Sequence, residues 1–194
     1  MSGDLDTVAI HYHSTALCSQ ISEGASRVAV VDTSRFVVPP GGGEVIWDGP
    51  IGTTVVIPSD ATGGLLSVCE MPVAPGYMVP PHTHHDTDEW SYVLEGHVGA
   101  RIGDDEFSAA PGSWILKPRG LMHTFWNAGP EPARIMELLT PGRFEGFFRR
   151  STELAVRDEL TDEVMEELGL EYGTTVSMDW VEDLAARYGL EVTI

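Results

Sequence analysis

The chain has 194 residues, enough for one substantial hydrophobic core, and its 42% hydrophobic and 21% charged residues are typical of a folded globular protein. Eleven basic residues stand against thirty acidic ones, so the formal net charge is −19. This charge argues against binding to nucleic acids or anionic membrane surfaces, since both are recognised through basic patches.

Targeting signals are not evident. No apolar stretch approaches the roughly 20 residues that a membrane-spanning helix needs. The N-terminal stretch MSGDLDTVAI has neither the basic nor the apolar part of a signal peptide. We therefore expect a soluble, cytoplasmic protein.

The pattern changes twice along the chain. Residues 1–35 show weak periodicity and are predicted to form an N-terminal arm. Residues 36–140 contain many short runs rich in β-branched and aromatic residues, separated by glycine and proline, such as EVIW, TTVVI, LLSVCEM, EWSYVLEG, HVGARI, SWILK, HTFWN and ARIMELL. Short strands at such close spacing are typical of an antiparallel sandwich or barrel. No long helical pattern interrupts them, which argues against a parallel α/β fold.

Residues 141–194 have helical periodicity instead. Phe144, Phe147 and Phe148 follow the i, i+3, i+4 spacing of an apolar helix face, and further helices are predicted around 164–168 and over 180–188. We expect this C-terminal extension to pack on the barrel as α-helices.

The stretch PPHTHHDTDEW, residues 80–90, concentrates titratable side chains. His82 and His84 are separated by one residue, so on a strand both imidazoles point to the same face. Glu89 begins the next predicted strand, and His123 begins another after a proline–glycine turn. Three imidazoles and a carboxylate suit a transition metal. By itself, the stretch is also compatible with a solvated charged turn.

Two ordered motifs surround these four residues. The first runs from Gly76 to Gly96 as G-x5-H-x-H-x4-E-x6-G, and the second runs from Gly112 to Asn127 as G-x5-P-x-G-x2-H-x3-N. Both resemble the two motifs of the cupin superfamily without a departure. The resemblance implies an all-β core, a double-stranded β-helix (jelly-roll) barrel over 36–140, followed by the C-terminal α-helices.

The resemblance also implies a site and an activity. One divalent transition metal (Fe, Ni, Mn, Co, Cu or Zn) would be held by His82, His84, Glu89 and His123, and Glu89 would also act catalytically as a proton acceptor. Small cupins with helices after the barrel resemble quercetin 2,3-dioxygenase-like enzymes. This implies a dioxygenase that uses O2 on a metal-chelated enediol or flavonol-like hydroxy-ketone, in a homodimer.

Two other functions stay open at this point. One is a non-redox metal-dependent isomerase, cyclase or decarboxylase, and the other is a protein that binds a small molecule without turnover. Strand alternation suggests the pocket, because residues two and four positions beyond Glu89 or His123 share the face of that ligand. A nearby tryptophan would add an apolar wall, and ordinary core packing is the alternative for every pocket position. The predicted pocket residues are Ser91, Val93, Phe125, Trp126 and Asn127.

Overall fold

A computed structural model describes residues 37–193, so the predicted arm at 1–35 lies outside the described residues. The described part contains thirteen strands and three α-helices. The strands are β1 (Glu44–Trp47), β2 (Thr53–Ile57), β3 (Ser67–Val73), β4 (Tyr77–Met78), β5 (His82–His84), β6 (Asp88–Glu95), β7 (Val98–Ile102), β8 (Asp105–Ala109), β9 (Trp114–Lys117), β10 (His123–Asn127), β11 (Ala133–Thr140), β12 (Thr174–Val176) and β13 (Glu191–Val192). The helices are α1 (Glu145–Val156), α2 (Asp162–Glu171) and α3 (Val181–Tyr188).

The strands form two sheets. Sheet 1 has the order β1-β2-β3-β11-β6-β9, and sheet 2 has the order β12-β5-β10-β4-β13, with β7 joining β10 to β8. All strand pairs are antiparallel except β13 with β4. This architecture confirms the predicted all-β, double-stranded β-helix core with C-terminal helices.

Side-chain alternation places the core between the sheets. Along β11 every second residue is buried, beginning with Ala133 and ending with Leu139. Val93 of β6, Ile115 of β9 and Phe125 of β10 join the same hydrophobic cluster. Burying an aliphatic or aromatic side chain of this size contributes about 1.5–3 kcal/mol, so this cluster is the main source of stability.

The C-terminal extension is more than a set of helices. Strand β12 pairs with β5, and strand β13 pairs with β4, so two short strands from this region extend sheet 2. Periodicity missed them because strands of three and two residues show no measurable alternation. The longest of the described helices, α1, has 12 residues, and none of them is long and apolar enough to cross a membrane.

Candidate metal centre

Both sheets contribute to one cluster of potential metal ligands. His82 and His84 lie on β5, His123 lies opposite His82 on the neighbouring β10, and Glu89 lies on β6 of sheet 1. One ligand atom from each of the four residues lies within 4.8 Å of the others. His123 is completely buried, and His84 and Glu89 are nearly so. The four predicted ligands are therefore brought together.

The two oxygens of the Glu89 carboxylate have different partners. Oε2 lies 3.1 Å from Nε2 of His123, 3.3 Å from Nε2 of His84 and 3.9 Å from Nε2 of His82. Oε1 lies 3.2 Å from Nζ of Lys117. One oxygen thus faces the imidazoles, and the other faces an ammonium group.

Backbone carbonyls orient two of the three imidazoles. Nδ1 of His82 donates a hydrogen bond to the carbonyl of Pro80 at 2.9 Å, and Nδ1 of His123 donates to the carbonyl of Leu121 at 2.9 Å. Because a carbonyl only accepts, Nδ1 of each of these two rings carries a proton, and Nε2 faces the cluster. His84 makes no hydrogen bond from either ring nitrogen within the described chain, although its Nε2 lies near Glu89.

Burial keeps the imidazoles of His84 and His123 neutral. Loss of solvent is the main reason why the pKa of His84 is lowered, and it also lowers the pKa of His123 to about 4, although Glu89 acts in the opposite direction. Neutral lone pairs and a carboxylate oxygen repel one another when they converge in a buried space. A bound cation removes this repulsion, so the residues fit a metal, and the mixed nitrogen and oxygen donors suit a divalent transition ion.

A buried ion pair behind Glu89 was missed by the sequence analysis. Lys117 is fully buried, and its Nζ lies 2.8 Å from Oε1 of Glu137, which is also fully buried. The hydroxyl of Ser91 donates to the same Oε1 at 2.7 Å. The sequence did contain a signal for this ion pair, because strand alternation places Lys117 on the same inward face as Ile115 in SWILK. Glu137 likewise occupies an inward position in ARIMELL.

The charges of this network affect one another. Burial would raise the pKa of Glu89, but the adjacent positive charge of Lys117 is the largest cause that opposes burial, and the pKa is held well below its usual range. Burial would lower the pKa of Lys117, but Glu137 and Glu89 raise it overall. Burial is the main cause that raises the pKa of Glu137 to about 7, with Lys117 opposing it. Lys117 is therefore an ammonium ion, and Glu89 is ionised.

A largely apolar cavity of about 140 Å³ opens beside the cluster. A dry cavity of roughly 150 Å³ is known to accommodate one benzene ring, so this space fits a single ring. Its walls come from the barrel and from the C-terminal extension. They include Trp47, Ile51, Met71, Val79, Phe125, Phe144, Phe147, Phe148, Ala155, Leu160 and Met165, together with His82, His84 and Glu89.

Of the five predicted pocket residues, only Phe125 lines this cavity. Val93 is completely buried in the barrel core. Ser91 points inward as predicted, but its hydroxyl is used by Glu137. Strand alternation identifies the inward face of a strand and not the depth along the barrel, and these two residues lie on the inward face away from the cavity lining.

Asn127 and Trp126 have structural contacts instead. The amide of Asn127 donates to the backbone carbonyls of Val73 and Glu131, each at 2.9 Å. Trp126 lies in a separate hydrophobic cluster with Leu184 of α3. Both side chains therefore fix the loops and helices around the barrel, and neither reaches the cavity lining.

One wall of the cavity comes from the start of the C-terminal extension. The ring of Phe144 packs edge-on against His84 with 4.2 Å between centroids, and it stacks on Phe147 at 5.1 Å. The helical spacing of these phenylalanines was visible in the sequence. Their contact with the cluster of candidate metal ligands depends on how α1 is placed after β11. The spacing of residues along one helix does not specify that placement.

The comparisons with known proteins agree with this geometry. The model of the cupin domain family matches residues 69–139, which include all four candidate ligands and both motifs. The chain contains a cupin domain. Its single small cupin domain thus confirms the resemblance that the motifs indicated.

Two curated relatives of this chain are named as polyketide synthase proteins. The chain is 32% identical over 81 residues to tetracenomycin polyketide synthase protein TcmJ of Streptomyces glaucescens, which covers 42% of this chain and 53% of that protein. It is 30% identical to polyketide synthase CurC of Streptomyces cyaneus over 42% of this chain and 51% of that protein. The chain thus spans about half the length of these relatives. The solved structure of KdgF from Halomonas sp. has a TM-score of 0.46 and 20% identity, covering 51% of this chain and 87% of that one.

Proposed function

We propose that this cupin is a metal-dependent enzyme whose substrate is a small, ring-containing hydroxy-ketone or enediol. The observation that carries the proposal is the placement of three imidazoles and one carboxylate at the wall of an apolar cavity of about 140 Å³. An apolar pocket with a few convergent polar groups is the usual form of a small-molecule site. The cavity size limits the part of the substrate beside the cluster to about one ring.

The roles of the residues follow from their positions. His82, His84, His123 and Glu89 would hold one divalent transition metal, which as a Lewis acid would lower the pKa of a bound substrate hydroxyl group towards neutrality. The phenylalanines of the cavity exclude water and hold the ring. Glu89 is the only carboxylate among the described cavity-lining residues, so we assign proton acceptance to it.

Within this proposal, non-redox chemistry is the first candidate reaction: cyclisation, isomerisation or decarboxylation through proton transfer. The names of two relatives, both polyketide synthase proteins, support it because polyketide intermediates contain hydroxy-ketone groups. The second candidate is the dioxygenase reaction with O2 on the same class of substrate. The arrangement of a small barrel followed by helices supports it through the resemblance to quercetin 2,3-dioxygenase-like cupins.

Oxygen consumption and zinc substitution separate the two reactions. The purified protein is analysed for bound metals, reloaded with Fe, Ni, Mn, Co, Cu or Zn, and screened with monocyclic enediols and hydroxy-ketones in an oxygen electrode. Turnover with zinc and without oxygen uptake supports the non-redox reaction. Substrate-dependent oxygen uptake with a redox-active ion supports the dioxygenase. Ligand binding without turnover for any ion would overturn the proposal and leave a binding protein.

The role of Glu89 has its own test. Glu89→Gln should lose turnover while the protein remains folded, because the amide cannot accept the proton. Glu95→Gln on the same strand is the matched control, since Glu95 is exposed and pairs with Arg134 at the surface. Unchanged turnover in Glu89→Gln contradicts the assignment.

A further inference from the structure

We infer that Lys117, braced by Glu137, is a positioning residue that restricts Glu89 to a single coordinating oxygen, Oε2. This inference deepens the proposed function and rests on its metal site. It concerns the three charged side chains on the inner face of sheet 1, which we call the carboxylate brace: Glu89, Lys117 and Glu137.

Strand register builds the brace. Glu89 lies directly opposite Lys117 in the pairing of β6 with β9. Glu137 lies directly opposite Ser91 in the pairing of β11 with β6. Side chains at such opposed positions on one face have Cβ atoms about 4.5–5.5 Å apart, so three adjacent strands hold the brace in a fixed arrangement.

Lys117 has little freedom to move away from Glu89. Its Nζ lies 2.8 Å from Oε1 of Glu137 and 3.2 Å from Oε1 of Glu89, and it lies 4.9 Å from the centre of the Phe125 ring. The side chain is fully buried, and it does not line the cavity. Lys117 can therefore act on a reaction only through Glu89, which makes it a positioning residue.

The consequence for Glu89 follows from the partners of its two oxygens. Buried carboxylate oxygens require a hydrogen-bond donor or a cation. While the ammonium of Lys117 holds Oε1, only Oε2 faces Nε2 of His123 and His84. Without Lys117, Oε1 loses this partner and turns towards the cation of the metal site. A carboxylate that binds through both oxygens would occupy a coordination position that the substrate needs.

A variant that tests this inference must still fold. Lys117→Met alone leaves Glu137 buried without a counter-charge, so we use the double variant Lys117→Met/Glu137→Met, which replaces the ion pair by apolar side chains of similar length. Glu137→Gln is the matched control. It keeps Lys117 beside Glu89, and its amide oxygen can still accept from the ammonium group. Melting temperatures report folding for each protein.

The measurement is the relaxation rate of solvent water protons in Mn²⁺-loaded protein, which reports the exchangeable water positions on the ion. With four protein ligands on a six-coordinate ion, two positions are open, and a second carboxylate oxygen closes one of them. The Mn²⁺-dependent relaxation of the double variant should fall by about half, whereas Glu137→Gln should match the wild type.

Each result decides the inference. A folded double variant with wild-type relaxation overturns the positioning role and leaves the proposed metal site intact, since a purely structural ion pair would change only the melting temperature. A wild-type protein that binds no Mn²⁺ overturns the inference together with the metal site. Equal losses in the double variant and in Glu137→Gln would also overturn it, because Lys117 remains in place in the latter.

Discussion

The two sheets hold their ligands in different ways. In sheet 2, backbone carbonyls orient the imidazoles of His82 and His123 through Nδ1. In sheet 1, the charged ligand Glu89 is held by a buried ammonium group, which is itself held by Glu137. Neutral ligands can be fixed by local backbone geometry. A buried carboxylate needs a counter-charge, and this counter-charge must come from a neighbouring strand.

This comparison predicts that loss of a sheet 2 ligand affects metal binding above all. His84→Ala removes an imidazole that has no hydrogen bond to replace within the described chain. Disturbing an outer partner of a metal ligand typically costs 10–100-fold in affinity, so removal of a ligand should cost at least about 1,000-fold. Isothermal titration calorimetry with Zn²⁺ measures this loss of metal affinity. His85→Ala is the control, because His85 is exposed, and equal affinities for the two variants would refute the assignment.

Loss of the counter-charge in sheet 1 should lower the free energy of unfolding. Lys117→Met leaves two buried carboxylates without their shared counter-charge, and breaking a buried ion pair in this way costs about 3–5 kcal/mol. Urea unfolding of the metal-free protein measures this loss. Lys117→Met/Glu137→Met should recover the part of the loss that the unpaired Glu137 causes, while Glu89 still lacks its counter-charge. A single variant as stable as the double variant would show that the buried charges do not depend on each other.

The neutral imidazoles predict a pH dependence of the metal-free protein. The pKa of His123 is about 4 in the folded chain, against an ordinary value of 6.5, so between these values the unfolded chain binds a proton that the folded chain does not. The contribution of His123 to stability is therefore complete above pH 6.5, and about 3 kcal/mol of it is lost as the pH is lowered to 4.

Urea unfolding across this pH window checks the prediction. His123→Gln should flatten the dependence, while His97→Gln, at an exposed position, should keep it. A slope that survives in His123→Gln would place its origin elsewhere.

The smallest effect on ligand binding is expected from the cavity wall that the C-terminal extension forms. Phe147→Ala enlarges the cavity and should weaken the binding of catechol, a single-ring enediol probe, to the metal-loaded protein by about tenfold, or 1.4 kcal/mol. Phe107→Ala provides the control, since this phenylalanine is 39% exposed on β8 and outside the cavity lining. Equal catechol affinities would remove the extension from the binding site.

Much of the fold was predictable because local patterns determine it. The β-rich runs and the spacing of glycine and proline correctly predicted the main strands of both sheets, and the helical spacing of Phe144, Phe147 and Phe148 marked α1. The short strands β4, β12 and β13 were not identified, because their pairing depends on neighbours distant in sequence. Strand β8, which forms a hairpin with β7, was not identified either. The predicted homodimer and cytoplasmic location stay predictions.

By itself, the sequence determined the four candidate ligands, because the motif spacing sets each side chain on a strand and on one face of it. Only the tertiary structure decided that Lys117 and Glu137 meet behind Glu89 and that Phe125, rather than Val93 or Asn127, borders the cavity. The physical reason is that alternation along a strand specifies a direction, whereas contact depends on strand register and on depth in the barrel. Those two quantities are properties of paired strands, and no single strand contains them.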